Sequence, residues 1–285
     1  MSVRTVSKII NAMAVSEGAG VTVHRTIGTP SLRNLDPFLM LDHFSSDDPD
    51  DYIAGFPDHP HRGFITLTYM LDGHMLHQDS MGNKGDLRSG GAQWMKAASG
   101  VIHSEMPQQT AGLMRGFQLW INLPASEKMS TPAYQEFTPE AIPAVKPDGS
   151  RVRILCGEYQ GQHGPINDPF THVQYLDVTL DENKTFNHTL AANMQAFLYV
   201  FEGDARIGDE MLHQHTLAVL GSGDNVEISA DNNGARFILV AGQPIREPIV
   251  QYGPFVMNTE QEIHQAFADY RNGTFVHNKA SFVSA

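Results

Sequence analysis

Two short motifs carry most of the chemistry available to this chain of 285 residues. His59-Pro60-His61 sets two imidazoles two residues apart, and His103-Ser104-Glu105 repeats the spacing with a carboxylate at the second place. On an extended chain alternate side chains share a face, so each pair reaches one point. The local residues favour extension: His59 precedes a proline, which disfavours the helical region, and Pro60 has its φ fixed. Pro60 also lacks an amide donor, which places it at the end or the edge of a strand. Two strands that each offer a chelating pair supply up to four ligands to one cation. Three neutral imidazoles and a carboxylate suit a first-row transition ion such as iron, manganese, nickel, copper or zinc. A lone HxH is commonly coincidence. Two such pairs, flanking a glycine-rich hairpin, make a metal site the stronger reading.

The elements that must hold these pairs read as strands. Short apolar, β-branched or aromatic runs are punctuated by glycine, proline or Asx residues. Phe64–Leu71 precedes Asp72-Gly73, Met114–Leu123 precedes Pro124, and Ala196–Phe201 precedes Glu202-Gly203. Val173–Leu180 and Arg236–Ala241 are further runs. Many short strands at this spacing predict a sandwich or barrel. Ile263, Ala266, Phe267 and Tyr270 recur at helical spacing, which predicts one amphipathic helix near the C-terminus. Residues 127–149 contain Pro132, Pro139, Pro143 and Pro147 with mixed charge and read as a connector. A faint repeat pairs Tyr69–Gly73 with Tyr199–Gly203, and Ser99-Gly100 with Ser222-Gly223, as expected of two related lobes.

Aligned through these turns, the second lobe sets Thr189 and Ala191 opposite His59 and His61, and Val226 and Ile228 opposite His103 and Glu105. It therefore offers no ligand and reads as structural. His213-Gln214-His215 has no companion pair and reads as a solvent-facing hairpin. His74 and His77 read as loop residues after the Asp72-Gly73 turn, and His188 as isolated. Asp47–Asp51 lacks a calcium-loop spacing and reads as a solvated turn. Trp94 and Trp120 read as core residues.

Composition narrows the function classes. Hydrophobic residues make up 41% and charged residues 18%, a globular balance that excludes wholesale disorder. With 32 acidic and 19 basic residues the formal charge is -13, which disfavours direct nucleic-acid binding. The single cysteine, Cys156, allows no internal disulfide and reads as a small buried thiol. No stretch is long and apolar enough to span a bilayer, and no secretory leader is apparent, so the expected place is the cytoplasm with no membrane partner.

At the chemical motifs the chain resembles the pirins, a branch of the cupin superfamily. The likeness runs through Asn34–Phe38, Phe56–Phe64, Gln93–Met95, His103–Pro107, Gln118–Leu123, Ser126–Met129, Arg246–Pro248 and Gly253–Thr259. It implies an all-β bicupin: two face-to-face jelly-roll barrels with a short C-terminal helix, divided into a metal-binding lobe 1–136 and a metal-free lobe 137–285. The family's ligand motif maps onto His59, His61, His103 and Glu105, around one divalent ion. Iron, Fe(2+), is the first expectation, with manganese, nickel, copper, cobalt or zinc as alternatives. One departure stands out: Ile65 occupies a position where pirins can carry a glutamate, which bears on substrate preference more than on metal binding. The resemblance implies a dioxygenase of the quercetin 2,3-dioxygenase type, acting on a flavonol or a related aromatic enol with O2, and Glu105 as its proton acceptor. Its other implication is a metal- or redox-responsive regulator that binds a transcription factor or a metabolic enzyme.

Overall fold

A computed structural model describes residues 2–284. Strands dominate it, with one α-helix, and the chain divides into two compact units made of interleaved segments. One unit comprises Ala14–Gly28, Phe38–Pro139 and Ile245–Ala285; the other comprises Met1–Met13, Thr29–Pro37 and Glu140–Pro244. The sequence reading divides the chain once, between 136 and 137. The structure changes unit close to that point, at Pro139/Glu140, and also exchanges both ends of the chain. The physical reason is where their apolar and backbone groups are satisfied. Val6–Asn11 pairs antiparallel with Thr216–Leu220. Phe255, Met257, Ile263, Ala266 and Phe275 form an apolar cluster against which Ile102 packs.

In the first unit, one sheet runs in the order Phe56–His61, Val101–Pro107, His74–Asp79, Lys84–Arg88. The second has eight strands, with Phe38–Ser46, Met114–Asn122, Phe64–Asp72 and Ala92–Lys96 at its centre. These central strands are buried on both faces and read as near-continuous apolar runs, as in Phe64–Leu71. The strand Phe56–His61 lies at the edge of its sheet, as the missing amide of Pro60 requires. Gly63 ends this segment with φ +89, and a Cβ there would lie 1.9 Å from the carbonyl oxygen of Val256. Only glycine fits so close an approach.

Part of the stretch read as a connector is strand. Ala133–Phe137 pairs with Ala92–Lys96 in unbroken register and buries Tyr134 and Phe137, a strand hidden in the sequence between Pro132 and Pro139. The predicted helix is present at Glu260–Arg271. Thr259 accepts from the Glu262 amide while the Glu262 carboxylate accepts from the Thr259 amide, a reciprocal cap worth about 1 kcal/mol. The helix belongs to the unit that holds the His59 and His103 pairs.

The second unit is built on a nine-stranded sheet around an apolar core that includes Leu176, Leu198, Leu220, Phe237 and Leu239, with a small hairpin of Glu158–Tyr159 and Gln162–His163 beside it in the sequence. Its long strands Gln195–Ile207 and Asn225–Gly242 pair over most of their length, with register shifts near Glu202 and Ala205.

Candidate metal centre

Backbone pairing brings the two chelating motifs together. His103 stands opposite His59 and Val101 opposite His61, and a bulge follows before Glu105 meets Phe56. The ring centroids of His59, His61 and His103 lie 4.4 to 4.9 Å apart. Each ring offers a nitrogen, and the three nitrogens lie within 4.8 Å of one another. His103 is fully buried, His61 nearly so, and His59 half-buried.

The hydrogen bonds around these rings suit a cation. His59 Nδ1 lies 2.8 Å from the Pro57 carbonyl oxygen, so Nδ1–H donates there and Nε2 keeps its lone pair. His61 Nδ1 and His103 Nε2 are buried with no hydrogen-bond partner. Burial lowers the pKa of His59 and pulls those of His61 and His103 well below the imidazole range; neighbouring histidines add to this at His61 and His103. Neutral imidazoles with unused buried nitrogens are what a transition ion requires of its ligands. The donor set fits the group.

Glu105 lies outside that nitrogen cluster but lines the same cavity as His59 and His61. It is buried, and burial pushes its carboxyl up to about 7, against the opposing pull of Gln118 and Thr68. The Thr68 hydroxyl donates to Gln118 Oε1 at 2.5 Å, which turns the Gln118 amide nitrogen toward both Glu105 oxygens at 3.4 Å. A carboxyl poised near neutrality is suited to take or give a proton. The cavity measures about 670 Å³, room for a polycyclic aromatic molecule. Val23, Met40, Phe44, Phe56 and Trp120 supply apolar wall, while Glu17, Arg25, Asp42 and Asp58 supply charge.

Comparison with known proteins decides the family. Residues 20–121 match the Pirin family and residues 175–276 match the Pirin C-terminal cupin domain. A pirin-like protein of Caulobacter vibrioides is 46% identical over 277 residues, covering 96% of this chain and all of the relative. The chain belongs to the pirin family. Human pirin is 44% identical over 263 residues, which cover 90% of this chain and 89% of the human one. A crystal structure of a quercetin 2,3-dioxygenase from Acinetobacter baumannii superposes with a TM-score of 0.89 at 31% identity, covering 96% of this chain and 99% of that one. The fold is accordingly that of the pirin bicupin.

Within this pirin the second barrel corrects the sequence alignment by one residue. Val226 stands opposite His188, and the Leu190 amide donates to the Asp224 carbonyl at 3.0 Å. Placing Gly223 on Gly100 therefore sets His188 and Leu190, rather than Thr189 and Ala191, opposite His59 and His61. One imidazole survives in the four positions, and it contacts the Gln174 Oε1 at 2.7 Å. The other positions hold Leu190, Val226 and Ile228, all buried in the apolar core.

Other sequence readings meet the structure in different ways. His213 is exposed and bonds Asp204 at 3.0 Å, and His215 contacts the Tyr199 hydroxyl at 3.2 Å. Cys156 is buried, donates to the Ile166 carbonyl at 3.2 Å, and has its thiol pushed up to about 12, chiefly by burial. Trp120 is a buried residue that stacks on Phe64 and also meets His61 edge-on at 5.1 Å.

His77 was missed. It is not a loop residue: it lies on the strand His74–Asp79, directly opposite Glu105, and is 3% exposed. Its Nε2 meets His103 Nδ1. Burial, then the neighbouring His59, drives its pKa down to about 3. The alternation Met75, His77, Asp79 after the turn is the signal that would have shown a strand.

Proposed function

We propose that this pirin is an iron-dependent dioxygenase of the quercetin 2,3-dioxygenase type, holding its ion with His59, His61, His103 and Glu105. The reading rests above all on three imidazole nitrogens within 4.8 Å of one another beside a cavity that Glu105 also lines. The 31% identity to the quercetin 2,3-dioxygenase of Acinetobacter baumannii supports it. In this reading a flavonol, or an aromatic enol of similar shape, enters the cavity and its central ring is opened by O2 with release of carbon monoxide.

When bound, a transition ion supplies Lewis-acid lowering of a hydroxyl pKa and a redox-active centre for O2 chemistry. The chain supplies the rest. Glu105, which lines the cavity, accepts the proton of the substrate hydroxyl. Gln118, its amide turned by the Thr68 hydroxyl, holds the Glu105 carboxylate in one orientation. Phe56, Met40 and Trp120 flank the aromatic system and exclude water, which strengthens every charge interaction within the cavity.

The test is to incubate the iron-loaded protein with quercetin in air and without O2, following loss of the visible absorbance. O2-dependent bleaching that disappears in Glu105→Ala is the expected result. No bleaching with iron, manganese, nickel, copper, cobalt or zinc contradicts the proposal.

A further inference from the structure

We infer that His77 is a positioning residue that fixes the tautomer and the orientation of His103, aiming its Nε2 lone pair at the cation. This rests on the reading of His103 as a ligand. His77 and His103 lie on adjacent antiparallel strands, 26 residues apart, with His77 opposite Glu105 and His103 opposite Asp79. Their rings are 4.4 Å apart, centroid to centroid, and His77 Nε2 faces His103 Nδ1.

Two facing imidazole nitrogens share one proton, so one ring donates and the other accepts. If His77 donates, the proton of neutral His103 is forced onto Nε2. That nitrogen is buried and has no partner in the protein, so an N–H there would go unsatisfied. It would also block the only nitrogen left to ligate. If instead His103 Nδ1–H donates to His77 Nε2, the His103 Nε2 is left bare beside His59 and His61. The geometry favours the second arrangement, because it alone leaves no buried donor orphaned at that position. A ligand imidazole commonly has its second nitrogen tied in this way, and such partners influence metal affinity about 10- to 100-fold. Here the partner is another histidine rather than a carboxylate.

The experiment uses the full chain with nickel(II) as the probe, stable in air, titrated against a chromophoric chelator. His77→Phe removes the acceptor and keeps a planar ring. His77→Gln keeps an amide oxygen near the place of Nε2. The expected result is an affinity loss of about 10- to 100-fold in H77F with recovery in H77Q. Histidine 15N spectra of the metal-free parent protein read the tautomer directly and serve even where H77F fails to fold. They are expected to show His103 protonated at Nδ1 and bare at Nε2. A His103 protonated at Nε2 overturns the inference, as does an H77F protein that binds nickel as tightly as its parent. A parent protein that binds no nickel or other transition ion overturns the reading of the centre, and with it this role. Metal binding untouched by H77F overturns the role alone.

Discussion

Arg25 grips Asp42 on the cavity wall through two parallel hydrogen bonds, Nε to Oδ1 at 2.7 Å and Nη2 to Oδ2 at 2.6 Å. The strands Val21–Arg25 and Phe38–Ser46 make this pairing by register, Arg25 lying opposite Asp42. Asp42 is 4% exposed, and burial raises its pKa despite the guanidinium. Removing Arg25 would leave a buried carboxylate with its bidentate partner gone. Arg25→Met is expected to destabilise the protein by about 3 kcal/mol, the low end for broken buried pairs because Arg25 is partly exposed. Urea unfolding measures this, and a change under about 0.5 kcal/mol, the range of ordinary surface substitutions, would contradict it.

Lys128 makes a second prediction. It is 1% exposed, and its ammonium donates to the Gly63 carbonyl at 2.7 Å, Asn122 Oδ1 at 2.6 Å and the Val256 carbonyl at 3.0 Å. Gly63 follows the His59–His61 pair by two residues, so this lysine braces the segment that carries two of the proposed ligands. Lys128→Met strands three acceptors at about 1 kcal/mol or more each, for an expected loss of about 3 kcal/mol. Thermal and urea unfolding of the metal-free protein report it. Unchanged stability would show that water replaces the ammonium without cost.

The second barrel predicts stoichiometry. His188 is alone among Leu190, Val226 and Ile228 at the positions matching His59, His61, His103 and Glu105 of the first barrel. Metal titration is expected to saturate at one equivalent per chain, and His188→Ala to leave that number unchanged. A second equivalent lost on removing His188 would contradict this.

Metal-free protein is expected to lose stability on mild acidification. Burial is the largest cause that lowers the pKa of His59, His61, His77, His103 and His188, with His77 reaching about 3 and His188 about 4. The unfolded chain takes up those protons near 6.5, so below that value it binds more protons than the folded state. Stability therefore falls as pH drops from 6.5. Glu105 acts oppositely: its folded value of about 7 exceeds the unfolded 4.5, so its contribution falls as pH rises between them. Asp42 and Glu136, whose carboxyls burial also raises, act in the same sense as Glu105. Five histidines outweigh three carboxyls, and the thermal midpoint is expected to drop between pH 6.5 and about pH 5. A midpoint flat or rising across that window would contradict the burial argument.

Much of the centre was legible because alternation along an extended chain is a local property. His59, His61 and His103, which the structure brings together, each announce themselves within a tripeptide, and Pro60 even fixes the edge position. The C-terminal helix was legible for the same reason, from its apolar spacing. His77 was not, since its meaning depends on pairing with a strand 26 residues away, and a histidine after a glycine turn looks like a loop. The one-residue offset at His188 is also a matter of register, which a faint repeat cannot set to better than a residue. The exchange of chain ends lay out of reach, because it depends on partners such as Val6–Asn11 and Thr216–Leu220, some two hundred residues apart.

In the proposed centre, four side chains from two strands hold one cation. The most direct measurement is anomalous diffraction from crystals of protein reconstituted with iron, recorded on both sides of the metal's absorption edge. One strong peak bounded by His59, His61, His103 and Glu105 is the predicted result. A map with no peak among those groups, or with the metal bound elsewhere, would contradict it.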